Sequence, residues 1–385
     1  MSLGTSLLGL TVALLGWIVA GAISMAFHSL RRQYKMLQQK RKIQFDPGGI
    51  QKNSSNLRAE ELHGFYRDWL QLSEFLKGMI QHHSSTEVEL KASVGFAKTT
   101  PPLDMTMTRL NSPWLFWRFL LTSFVCLVIF EIALQISGSE IILPAIFFIG
   151  ALAIPVTVLT LFFEFNSPAN VSVLLLARYS ILGGALAVLI SMIAYKIVST
   201  LGIHSTQAAG FVEENAKLLA MIILSRKVVR ERYPFILNGL VFGAAVGAGF
   251  ASYETAGYIF FYFLGKPIMI LGQSLALMHM SLQRAYVVLV DRALWVAPFT
   301  HVVWTAFSGA LYWLLSKAKK FSGRFIGYCV ALAIPILLHT AWDNLNMPIL
   351  IKVLTVGAAG WFMIFMILEL GHKDILNTLN KITKS

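Results

Sequence analysis

Four groups of ionisable residues lie inside otherwise apolar segments: Gly210-Phe211-Val212-Glu213-Glu214-Asn215-Ala216-Lys217, Phe250-Ala251-Ser252-Tyr253-Glu254, His301 with Thr305, and His339 with Asp343. Residues four apart share a helix face, so Glu213/Lys217, Phe250/Glu254, His301/Thr305 and His339/Asp343 each present a pair to one side. Such side chains activate water, orient an imidazole or hold a metal ion. In the first group Lys217 can neutralise one carboxylate and leave the other for chemistry. In the last, Asp343 can fix the tautomer of His339 or stand beside it as a ligand.

The setting gives these residues their weight. Of 385 residues, 56% are apolar and 13% charged, and the mean hydropathy is +0.66. Soluble domains carry about 25% charged residues, so this composition belongs to an integral membrane protein and excludes disordered, collagenous and disulfide-framed classes. Cys126 and Cys329 sit in apolar runs and read as small hydrophobes. A net charge of +13 would suit nucleic acid, yet the cations gather at the ends of apolar runs, so no nucleic-acid partner is expected. A charge at membrane depth costs from ~2.5 kcal/mol upward, which makes each intramembrane ionisable residue a functional hypothesis.

Segments long enough to cross the bilayer lie at about 4–27, 114–137, 141–163, 172–196, 207–225, 235–263, 296–316, 325–345 and 348–370. The expected fold is therefore an all-α, polytopic bundle of about nine transmembrane helices. The first segment, 1–27, reads as a retained anchor with the N-terminus outside, because His28, Arg31, Arg32 and Lys35 follow it. Counting on from there places residues 28–112, the Arg226–Arg232 and Lys317–Arg324 clusters and the tail 372–385 in the cytoplasm. Residues 28–112, with 13 Lys/Arg against 8 Asp/Glu, form a small and partly helical cytosolic insert, in which Arg31–Lys42 holds to anionic lipid and His82-His83 reads as solvated. Residues 113–200 carry the second to fourth helices, and 201–371 the chemistry. The stretch 265–295, interrupted by Arg284, Asp291 and Arg292, reads as interfacial or re-entrant, with His279 also at the interface. Glu131 and His204 read as interfacial and loop residues.

Depth ties the four groups together. Glu213 and Glu214 lie about two turns from the outer start of their helix, and His301 one to two turns from its own. Glu254 stands roughly 28 Å along from an inner start, and His339 roughly 21 Å. All converge on the outer half of the bilayer. The ladder Gly239-xxx-Gly243-xxx-Gly247 lets helices approach closely, so the sixth helix is central and Glu254 faces the interior.

These residues, in this order, resemble the PrsW family of intramembrane proteases, relatives of the CAAX prenyl and bacteriocin-processing membrane proteases. The family pattern EExxK, FxxxE, HxxxD stands here as Glu213-Glu214-Asn215-Ala216-Lys217, Phe250-Ala251-Ser252-Tyr253-Glu254 and His339-Thr340-Ala341-Trp342-Asp343. The contexts GAAVGAGFASYETAGY and HVVWTAFSG are similar too, and Thr255 stands where the family often carries Asn. The resemblance spans about 207–345. It implies hydrolysis of a peptide bond in a membrane-bound protein, such as an anti-sigma factor, near the extracytoplasmic side of a bacterial inner membrane.

Two chemistries fit. In one, Glu213 or Glu214 acts as general base on water while His301, or His339 with Asp343, donates toward the oxyanion. In the other, His301, His339 and a carboxylate, Glu254, hold Zn²⁺ and another Glu is the base. The absence of HExxH tips the reading toward the metal-free form. Lys217, Phe250 and Thr305 support the site. The rival classes are an ion- or proton-coupled transporter, for which the paired repeats are missing, and an inactive membrane-peptide-binding adaptor.

Overall fold

The computed structural model describes residues 72–82, 84–96, 98–101, 113–225, 231–264, 282–316 and 321–382, and every regular element among them is helical. Two short helices, α1 (Leu72–Ile80) and α2 (Ser85–Ser93), precede the bundle; Ser84 and Glu87 cap α2 reciprocally. Then come α3 (Leu115–Ser137), α4 (Leu143–Phe165), α5 (Val173–Thr200), α6 (Ser205–Leu224), α7 (Ile236–Phe263), α8 (Leu282–Asp291), α9 (His301–Leu315), α10 (Phe321–Asn344) and α11 (Ile349–Leu379).

Seven helices among the described residues are long and apolar enough to cross a membrane, against the nine expected. The first expected span, 4–27, lies outside the described residues. The fifth is present as α6, a 20-residue helix, but Glu213, Glu214 and Lys217 break its apolar run. The segment expected to be interfacial or re-entrant is described only in its second half. Residues 284–295 belong with α9 to one apolar run, Arg284–Leu315, while 265–281 lie outside the described residues. Ala285 and Leu289 of α8 are buried among Ile146, Phe147 and Ile259, so this helix packs into the bundle. Arg292 turns inward through the π-helical turn Arg292–Val296 and finds a carboxylate there.

α7 is the axis of the bundle, with 94% of its apolar window buried. Cβ atoms built on Gly239, Gly243 and Gly247 would strike the backbone carbonyls of Gly309, Thr305 and His301, so the glycine ladder is what lets α9 lie directly against α7. At the start of α3 the carboxylate of Glu164, from the end of α4, accepts the backbone N–H groups of Trp114, Leu115 and Phe116 at 2.9–3.0 Å. These are donors that a helix start leaves unpaired. Glu131, on α3, accepts from Tyr286 of α8 and takes no part in the cluster described next.

Candidate functional site

α6, α7, α9 and α10 bring the four sequence groups to one place. They line a cavity of about 730 Å³ whose walls include Glu213, Glu254, His301, His339 and Asp343. Glu214 and Lys217 lie just behind it, fully buried.

Adjacent residues on a helix point about 100° apart, and this separates the two glutamates of α6. Glu214 turns away from the cavity, where its Oε1 accepts from Lys217 Nζ at 2.5 Å and from His339 Nδ1 at 2.8 Å. Lys217 therefore neutralises Glu214, three residues away, rather than Glu213, and its ammonium also rests over the Phe250 ring at 4.8 Å. Glu213 faces the cavity. Its Oε1 accepts from the Tyr195 hydroxyl at 2.8 Å, while its Oε2 is buried with no hydrogen-bond partner.

The histidine tautomers follow from the partners, since carboxylates only accept and lysine only donates. His339 Nδ1 carries a proton for Glu214, leaving Nε2 to face Glu213 Oε2 at 3.7 Å and Asp343 Oδ2 at 3.3 Å. His301 Nδ1 accepts from Lys217 at 3.0 Å, so its proton sits on Nε2 and goes to Glu254 Oε2 at 2.9 Å. Glu254 Oε2 also receives Arg292, whose Nε donates to Thr255 Oγ1 at 3.3 Å and whose guanidinium lies over Tyr258. Phe250 and Trp304 pack edge-on against the His301 ring.

His339 Nε2 thus faces two carboxylate oxygens, Glu213 Oε2 and Asp343 Oδ2, an arrangement that needs either a second proton on the ring or a cation among the three. Glu213, His301 and His339 each offer one ligand atom, all within 4.8 Å of one another and all buried. Glu213 Oε2 stands 3.7 Å from His339 Nε2 and 4.0 Å from His301 Nδ1. Zinc bonds of about 2.0–2.1 Å in a tetrahedron set ligands about 3.4 Å apart, so small movements suffice and the donor set fits a metal. For His301 Nδ1 to be a ligand it must leave Lys217, which keeps Glu214.

The carboxylate in this group is Glu213, whereas the sequence reading paired the histidines with Glu254. Thr305 lies away from the cavity, packed against Gly243 and Gly247, with its Oγ1 unpartnered. Two residues escaped the sequence reading. Tyr195 forms an i,i+4 polar pair with Ser191 in an apolar segment, a spacing that was available as a signal; both line the cavity. Arg292 was hidden by its place in a stretch read as interfacial.

The family model described as PrsW family intramembrane metalloprotease matches residues 139–369, well over half of the chain and more than the 207–345 that carry the motifs. No curated protein and no solved structure matches the chain.

Proposed function

Because the chain belongs to the PrsW family of intramembrane metalloproteases, it is a multi-pass membrane peptidase, and we propose that Glu213, His301 and His339 hold a zinc ion at which a peptide bond of a membrane-bound protein is hydrolysed. The observation that carries the reading is the buried, unpartnered Glu213 Oε2 facing two imidazoles across a cavity. It favours the metal form over glutamate-activated water alone. When bound, the ion supplies Lewis-acid polarisation of the scissile carbonyl and lowers the pKa of water.

The chain's own residues do the rest. Glu214 accepts the Nδ1 proton of His339 and so keeps its Nε2 lone pair turned into the cavity, the usual service of an outer carboxylate to a ligand histidine. Glu254 Oε1 has no protein partner among the described residues and serves as general base: it takes a proton from water and returns it to the departing amine. Arg292 and the His301 N–H fix Glu254 for that exchange. The Tyr195 hydroxyl stands on the opposite glutamate, where it can turn to donate to the oxyanion of the tetrahedral intermediate. The finer reading places the cut near the extracytoplasmic side of a bacterial inner membrane, in a substrate of the anti-sigma-factor kind, with the N-terminus outside and the C-terminus cytoplasmic.

The test is metal content of the detergent-purified protein by elemental mass spectrometry, beside cleavage of a fluorogenic peptide with and without chelator. Near-stoichiometric zinc in the wild type, lost in Glu213→Ala, His301→Ala and His339→Ala but kept in Glu254→Gln together with loss of cleavage, is the expected result. Cleavage that persists in chelator without metal returns the chemistry to glutamate-activated water. Absence of both metal and cleavage brings the transporter and adaptor readings forward.

A further inference from the structure

The α5 and α7 wall of the cavity carries more than Tyr195 and Glu254, the two residues this chemistry uses. α5 and α7 touch backbone to backbone at a single level, where a Cβ on Gly184 would strike Gly249 and one on Gly249 would strike the Ser180 carbonyl. Further along, residues of both helices line the cavity, and Tyr195 leans from α5 onto Glu213 of α6. Both helices then turn stripes of three-to-four spacing into the cavity, Ser191, Met192 and Tyr195 from one, Tyr253, Gly257 and Phe261 from the other.

Gly257 lies eight residues, about 12 Å, past Gly249. Glycine is unfavourable inside a helix, and at 239, 243 and 247 the contact with α9 accounts for it. At Gly257 a Cβ would meet nothing within 4 Å, so open space lies in front of it where no packing contact calls for glycine. The same cleft holds the Ser191 hydroxyl, buried and without a hydrogen-bond partner. Its rim includes Met192 and Phe261, two exposed apolar side chains.

We propose that the cleft between α5 and α7 at Gly257 is the lateral portal through which an unwound, apolar transmembrane segment of the substrate reaches Glu213, His301 and His339. This rests on the peptidase reading above. A helical peptide bond is closed off by its own i to i−4 hydrogen bonds and the bulk of its side chains, so the occupant at the point of attack is extended, and Ser191 bonds one of its freed backbone groups.

The experiment uses the full chain in liposomes and one quenched decapeptide that the wild type cleaves, offered free in solution and fused to a Leu/Ala transmembrane helix. Gly257→Ala, Gly257→Leu and Gly257→Phe should lower the tethered-to-free cleavage ratio in order of size, by about tenfold or more for Phe. Ile193→Phe, on the lipid side of α5, should leave it unchanged. A ratio that stays constant across the series overturns the portal. A second measurement needs no turnover. In a Glu213→Gln chain with Cys126→Ser and Cys329→Ser, a bimane label at Gly257→Cys should be quenched by a tryptophan in the Leu/Ala helix more strongly than a label at Ile193→Cys. Equal quenching at the two positions overturns the portal. Wild-type failure to cleave either form overturns the peptidase reading instead, and the quenching still decides whether the cleft takes up a transmembrane segment.

Discussion

Glu214 and Glu213 are neighbours with opposite duties, and the difference can be measured. Glu214 is fully buried and touches no part of the cavity, yet it fixes the ring of His339 through Nδ1. Glu214→Gln can still accept that proton, but as a weaker, neutral partner, and it leaves Lys217 without its carboxylate. Zinc affinity, read by competition with a fluorescent chelator, should fall about 10- to 100-fold in this variant, with metal binding not abolished as in Glu213→Ala. The motif residues themselves were legible because a charge in an apolar helix needs a reason. What their spacing left open was rotation: Glu213 and Glu214 both face inward in a 3.6-residue repeat, and only the placement of Lys217 and His339 decides which one reaches the cavity. Thr305 shows the converse, since a polar residue four from His301 shares its face but faces the glycine ladder of α7 instead.

At the level of elements, helix starts and helix contacts carry the fold, and the hydropathy profile finds the helices without finding what joins them. α3, α4, α5, α7, α9, α10 and α11 follow apolar runs that the sequence displays openly. The inward turn of Arg292 does not, because a π-helical turn has no composition of its own and an arginine in an apolar run reads first as an interfacial anchor. Glu164 was equally silent: near the end of a run, it passes for a boundary charge, yet it supplies the acceptor for three backbone N–H groups of α3. Glu164→Ala should destabilise the protein by at least about 1–3 kcal/mol, the cost of leaving buried donors unpaired. The check is the midpoint of thermal unfolding in detergent; an unchanged midpoint would mean that water satisfies the start of α3 equally well.

For the whole molecule, the orientation proposed from the basic clusters puts the C-terminus in the cytoplasm, and α8 is what tests it. If Arg284–Leu315 crosses as one element, a reporter fused after Lys320 should lie on the cytoplasmic side, and an external signal there would mean that 265–295 crosses the membrane as a span of its own. The same architecture divides the protein into an inner and an outer shell. The apolar window of α7 is 94% buried, while those of α3, α5 and α10 are 11%, 22% and 22% buried. Lipid therefore presses on the rim and not on the axis that sets the distances among Glu213, His301 and His339. A bilayer too thin or too thick for the bundle will tilt the rim helices at a cost of fractions of a kcal/mol per Å, leaving the hub that carries Glu254 and backs His301 unmoved. Turnover of a free peptide in liposomes of about 14- to 22-carbon acyl chains should then vary by no more than about threefold. Turnover of a membrane-tethered one should follow bilayer thickness, because α5 is both the helix that lipid moves and one side of the opening at Gly257.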